Sequence, residues 1–190
     1  FTVTGVLKYT PVANYNGSDS FTFKANDGTG DSTAAATESI TVNAINDAPT
    51  AANQTVTTNE DTDYTFAAAN FNFSDIDAGA ALSKIQVTQL ESAGALKLSG
   101  VDVTLNQEIT KADIDAGNLK LTPVANANGT GYANFLFKVS DGTAYSASAY
   151  TMTIDVTATN DAPTAANNTV TTNEDTDHTF AAANFNFSDI

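Results

Sequence analysis

Apolar residues recur at every second position through much of residues 47–160. Leu96 and Leu98, Val101 and Val103, Leu119 and Leu121, and Met152, Ile154 and Val156 alternate with polar neighbours, whereas the run from Ile85 through Val87 to Gln89 is less regular. A period of two puts alternate side chains on one face of an extended chain, so each run predicts a strand with one buried side. Thr, Val, Tyr and Phe are frequent and suit a pleated surface. Breaks at Ala78-Gly79, Gly94, Gly100, Asn128-Gly129 and Asp141-Gly142 separate the runs at the spacing of short sandwich strands. The pattern predicts an all-β fold of about seven antiparallel strands in a β-sandwich. Its expected core is Phe66, Phe71, Phe73, Leu96, Leu98, Leu121, Phe135, Phe137, Ile154 and Val156.

The same pattern returns along the chain. Residues 47–76 and 161–190 differ at two of thirty positions, Gln54 against Asn168 and Tyr64 against His178, at an offset of 114 residues. Leu7 to Gly17 matches Leu119 to Gly129, and Phe23 to Gly28 matches Phe137 to Gly142. The expected organisation is the last part of one repeat at 1–46, a complete repeat at 47–160, and the opening of a third at 161–190. A repeat of about 110 residues is a usual domain size and buries enough apolar surface to fold without disulfides. Asn46-Asp47-Ala48-Pro49 and Asn160-Asp161-Ala162-Pro163 are the junctions, each short and stiffened by proline, so neighbouring repeats are expected end to end with little slack. With Phe1 at its start and no signal peptide, the chain reads as part of a longer protein.

Composition narrows the chemistry. There are 22 acidic residues against 7 lysines, giving a net charge of -15, with no Arg, no Cys, no Trp and one His. Thiolate nucleophiles, disulfides and cysteine-ligated metals are excluded. Nucleic acid is not an expected partner, because phosphate binding needs clustered cations, and no apolar run is long enough to span a membrane. His178 replaces Tyr64 one repeat on, and no other base is available to activate a hydroxyl, so no enzyme is expected. The N-x-S/T triplets at Asn16, Asn53, Asn72, Asn128, Asn167 and Asn186 read as turn or surface positions.

Acidic chemistry is what remains. The pentapeptide DIDAG occurs at Asp75 to Gly79 and at Asp113 to Gly117, and the chain reaches a third copy at Ser188-Asp189-Ile190. Two carboxylates spaced i and i+2 suit a hard cation, and the same letters suit a polar turn. The second copy follows Thr110, which with Asp113 forms an S/T-x-x-D/E capping pattern, and Gly117 is placed to end one helical turn. Its counterpart in the first repeat, Phe1 to Gly5, keeps only the glycine. The first copy is no EF-hand loop, since its glycine comes one position early and its twelfth residue is Gln86.

The order of the remaining motifs resembles a cadherin repeat: Asn-Asp-x-Pro at the junction, a Glu after the first strand, Asp-x-Asp after the second, and Asp-Gly before the last. Within that group the chain is most similar to the Ig-like, cadherin-like tandem repeats of giant bacterial RTX-type surface adhesins. Lys8 to Phe23, Asn26-Asp27-Gly28 and Asn46 to Pro49 carry that likeness, which spans the whole chain. The resemblance implies Ca2+ at the seams between repeats, held at the first by Asn46, Asp47, Glu60, Asp75, Asp77 and Asp141, and at the second by Asn160, Asp161, Glu174 and Asp189. It departs from animal cadherins where their Asp-Arg-Glu motif is replaced by Asn126-Ala127-Asn128-Gly129, so one or two ions per seam are expected.

The implied function is a calcium-stiffened extender repeat of an extracellular or cell-surface adhesin, with neighbouring identical repeats as its partners. The alternative is the body of a self-assembling extracellular fibre, its partial domains completed by neighbouring repeats or chains.

Overall fold

The structure, a computed structural model, describes residues 5–189. The Phe1 to Thr4 part of the capping-helix counterpart and Ile190 of the third acidic copy lie outside the described residues. The alternating segments become strands β1 (Gly17–Phe23), β2 (Ala36–Val42), β3 (Gln54–Asn59), β4 (Tyr64–Thr65), β5 (Lys84–Gln89), β6 (Ala95–Leu98), β7 (Val101–Asp102), β8 (Glu108–Thr110), β9 (Leu119–Thr122), β10 (Gly129–Ser140), β11 (Tyr150–Thr157), β12 (Thr164–Ala165) and β13 (Phe187–Ser188). Helix α1 (Lys111–Asp115) lies between β8 and β9, and single 3-10 turns cover Ala68–Phe71 and Ala182–Phe185.

Nine of these strands form two sheets, ordered β3-β11-β10-β5-β8 and β4-β9-β6-β7. Their facing sides share one core. Phe66, Phe71, Leu96, Leu121, Phe135, Phe137, Ile154 and Val156 are buried as the alternation predicts, whereas Phe73 and Leu98 are only partly so. Phe66 meets Phe135 edge-on at 5.6 Å and Phe71 meets Phe137 at 5.0 Å, the arrangement in which aromatic quadrupoles attract. Burying one such ring contributes about 1.5–3 kcal/mol.

Two features depart from the alternation. Val101 and Val103 do not share a buried face: β7 pairs with β6 for two residues only, leaving Val101 exposed while Val103 turns inward. The first strand β3 pairs in parallel with β11, Met152 opposite Gln54 through Thr157 opposite Asn59, while every other pairing is antiparallel. Both strands therefore start at the end of the sandwich reached by the first junction, and both finish at the other end. Six residues of strand span about 20 Å at roughly 3.3 Å each, so residues before β3 and after it are far apart.

The flanking segments fold as smaller pieces. β1 and β2 form a two-stranded antiparallel sheet, and β12 pairs with β13. In the complete repeat, Thr50 bridges Ser74 at the positions that β12 and β13 occupy 114 residues on.

Candidate metal centre

At the first end of the sandwich the loops after β10 and before β5 hold the junction. Asp141 opens a tight turn in which its Oδ1 accepts from the backbone N–H groups of Thr143 at 2.6 Å and Ala144 at 2.7 Å. Gly142 completes that turn at a φ of +103°, a conformation that side chains oppose. The second oxygen of Asp141 accepts from Asn46 Nδ2 at 2.9 Å, and the same amide donates to the carbonyl of Asp47 at 2.8 Å. Burial works against ionisation of Asp141, and donation from Ala144, Asn46 and Thr143 outweighs it, holding the carboxyl below the ordinary carboxylate value.

The first acidic pentapeptide completes this end. Asp75 Oδ1 accepts from the backbone of Asp77 at 2.9 Å, and Asp77 Oδ2 accepts from the backbone of Asp47 at 2.8 Å. Asp75 Oδ2 is buried with no hydrogen-bond partner, which is costly for a carboxylate oxygen. A cleft of about 370 Å³ at this end is lined by Asn14, Tyr15, Asn16, Ile45, Asp47 and Asp77. The structure thus brings together Asn46, Asp47, Asp75, Asp77 and Asp141 around one junction.

Glu60 is not among them. It follows β3 and stands at the far end, where its backbone N–H donates to Thr157 O at 2.9 Å. Thr159 N donates to its Oε1 at 2.6 Å and Asn128 Nδ2 to its Oε2 at 2.8 Å. The side chain is 5% exposed, and these donors, Asn128 foremost, hold its carboxyl below the ordinary value. The resemblance grouped Glu60 with Asp75 and Asp77 at the first junction; the direction of β3, parallel to β11, carries Glu60 to the second.

That second junction shows the opposite half of a seam. Asp61 and Asn126 both adopt left-handed backbone conformations, at φ +57° and +58°, which Asp and Asn tolerate best. Asn126 N donates to Asp61 Oδ1 at 3.0 Å. With its amide turned to donate, Asn126 also reaches Asp61 Oδ2 at 3.2 Å and Asp161 Oδ2 at 3.3 Å. Asn160 Nδ2 donates to the Asp161 carbonyl at 2.7 Å, as Asn46 does to Asp47. Glu174, the counterpart of Glu60, is exposed, and Asp189, the counterpart of Asp75, lies next to β13.

Asp61, Asn126 and Asn128 were not among the residues singled out as ligands. The signal for the asparagines is the recurrence of Asn14-Tyr15-Asn16-Gly17 as Asn126-Ala127-Asn128-Gly129; Asp61 is visible only through its contact 65 residues away. The second DIDAG, in contrast, is consumed locally. Thr110 caps α1 by accepting from Asp113 N at 3.1 Å, and its hydroxyl donates to Asp113 Oδ2 at 2.6 Å. Asp115 pairs with Lys111 one turn earlier.

Among the described residues, no three or more His, Cys, Asp or Glu side chains stand ready-gathered around a point. The donor set at the first junction still fits a hard cation in kind: carboxylate and amide oxygens on bent backbone. It fits calcium least well at Asp77 and Asp141, whose oxygens already receive N–H groups, and best at the unpartnered oxygen of Asp75.

Known proteins place the chain in context. A family model described as Bacterial Ig domain matches residues 1–43 and 46–157. Integrin beta-like protein E of Dictyostelium discoideum is 31% identical over 163 residues, 84% of the chain, and Integrin beta-like protein C of the same organism is 32% identical over 115 residues, 60% of the chain. The chain spans only 8% and 6% of those two relatives. No solved structure matches it.

Proposed function

The chain belongs to the bacterial Ig domain family, and from that premise we propose that it is an extender segment of a large surface adhesin whose seams are stiffened by calcium. Domains of this family are usually extracellular or on the cell surface and are typically not enzymes. No described helix is long and apolar enough to cross a membrane. The observation that carries the calcium reading is Asp75 Oδ2, a buried carboxylate oxygen without a partner, beside a junction whose Asn46 and Asp47 are gripped by Asp141 and Asp77.

The two junctions complement one another. Shifted by 114 residues, they describe a single seam in which Glu60, Asp61, Asn126 and Asn128 belong to the preceding repeat. Asn160 and Asp161 form the linker, and counterparts of Asp75, Asp77 and Asp141 belong to the following repeat. Six carboxylates on one seam repel one another, each pair by about 1 kcal/mol at 4 Å even in bulk water and more when partly buried. A divalent cation offsets this and supplies the missing partner of Asp75; the residues of this chain position the linker against both domains. The test is the melting of an array of two complete repeats at 0.15 M salt. A rise in melting temperature with millimolar calcium over chelator is expected, and equal melting temperatures would remove calcium from the proposal.

A further inference from the structure

Two of the chain's seven lysines face each other within the complete repeat, on the outer side of its four-stranded sheet. Lys97 of β6 pairs with Lys120 of β9, and their neighbours Leu96, Leu119 and Leu121 are buried, so alternation turns both lysines away from the core. The same cross-strand row continues to Thr65 of β4 on one side and Asp102 of β7 on the other. Like charges directly opposite on adjacent strands destabilise a sheet, and little in the protein offsets this pair. Asp102 Oδ1 is 4.0 Å from Lys97 Nζ on a side chain 77% exposed, where an ion pair contributes little. Lys120 makes no ion pair among the described residues. On a chain with 22 acidic residues, the row is a local reversal of charge.

The two lysines line a cleft of about 360 Å³, within the range of small-ligand sites, ~300–1,000 Å³. One wall is the turn between β6 and β7, where Ser99 and Gly100 take left-handed backbone at φ +51° and +82°. A side chain added at Gly100 would meet nothing within 4 Å, so bare backbone borders open space. Ser99 N donates to Asn118 O at 2.9 Å, which ties this wall to the end of the capped turn. Two residues beyond Lys120 along β9, the Thr122 hydroxyl donates to Asp63 Oδ1 at 2.7 Å. Asp63 Oδ2 accepts no hydrogen bond among the described residues.

We propose that this cleft binds an acidic sugar at the end of a glycan, its carboxylate on the Lys97–Lys120 pair and its hydroxyls on Asp63, Ser99 and Asn118. Two facing ammonium groups call for an anion, and charge-assisted hydrogen bonds to one are the strong kind. Asp63 in the same cleft repels a dianion, so a singly charged carboxylate fits better than a phosphate monoester. The net charge of -15 likewise opposes a long polyanion and favours a single terminal unit. No aromatic side chain lines the cleft, so a neutral sugar finds no ring to pack on and the carboxylate must supply the affinity. The hydroxyl, amide and carboxylate around the lysines match ring hydroxyls, each both donor and acceptor. The inference goes beyond the extender reading and needs no calcium: the segment that spaces an adhesin would itself hold a glycan.

The experiment is an NMR titration of the 190-residue chain with methyl β-D-glucuronide in chelator and low salt, so that calcium at the seams has no bearing on it. The backbone amides of Lys97, Ser99, Gly100, Asn118 and Lys120 are expected to shift together and saturate. Methyl β-D-glucoside, the same ring without the carboxylate, is expected to bind about tenfold more weakly, the loss of one charge-assisted contact. Lys120→Gln is expected to weaken the glucuronide about tenfold while holding or raising the melting temperature, because it removes a facing like charge. Lys97→Gln reads the same loss should the first variant fold poorly. Lys138→Gln, between buried Phe137 and Val139 on the outer side of the other sheet, is expected to bind as the parent does. Absence of a saturable shift at the cleft, or an unchanged affinity in both cleft variants, overturns the site. Sodium sulfate shifting the same amides with equal affinity overturns the sugar and leaves an unselective anion site.

Discussion

Glu60 combines near-complete burial with two hydrogen-bond donors. Its carboxylate receives Asn128 Nδ2 and Thr159 N, and both favour the ionised form, so its folded pKa is lowered. A lowered pKa contributes stability that is complete above the unfolded value, about 4.3 for Glu, and is lost as pH falls through the folded value. Glu60→Gln presents an amide N–H₂ to one of these donors and lowers the melting temperature at pH 7. The deficit relative to the parent chain is expected to shrink as pH falls below the unfolded value of about 4.3 and on through the lowered folded value. Melting curves at several pH values check this; a deficit unchanged at pH 3 would mean that the charge of Glu60 contributes nothing.

At the scale of elements, identical pentapeptides take different structures according to what precedes them. The second DIDAG follows a capping threonine and becomes α1. The first follows the 3-10 turn at Ala68–Phe71 and becomes an open loop whose Asp77 reaches back 30 residues to Asp47. Thr110→Ala is expected to cost about 1 kcal/mol in urea unfolding, the usual worth of an N-cap side chain, and to leave any calcium response intact. Asp113→Asn with Asp115→Asn is likewise expected to spare calcium binding, whereas Asp75→Asn with Asp77→Asn should abolish it. Titration calorimetry on the two double variants separates them, and loss of binding in the first pair would reverse the assignment.

Across the whole molecule, the consequence of a held junction is mechanical. If linker residues were free, successive repeats would hinge and a long array would coil. Here Asp47 is tied to the following domain and Asp161 to the preceding one, and filling each seam with calcium would restrain both sides together. Extracellular calcium-binding modules in general have dissociation constants of about 10⁻⁴–10⁻³ M, so an array whose seams bind calcium as proposed would stiffen outside the cell and remain loose at cytosolic levels. Small-angle scattering from a multi-repeat array is expected to give a longer maximum dimension in millimolar calcium than in chelator. Identical profiles would mean that the acidic seams serve solubility alone.

What the sequence determined by itself is what depends on neighbours a few residues apart. Alternation marked the strands and eight core residues from Phe66 to Val156; Thr110 and Gly117 marked the capped turn; the 114-residue recurrence gave the expected junctions. Phe73 and Leu98 pack against the core but stay partly exposed, because alternation gives a face but not how deeply the opposing sheet covers it. Tertiary structure alone decided which end of the sandwich each acidic group occupies. Glu60 lies fifteen residues before Asp75 in the chain, yet six residues of β3 run between the first junction and Glu60, parallel to β11, and deliver it to Thr159 and the second junction. The Asp61–Asn126 contact, across 65 residues, was invisible for the same physical reason: local pattern encodes which way a side chain faces, and only the pairing of distant strands encodes where it ends.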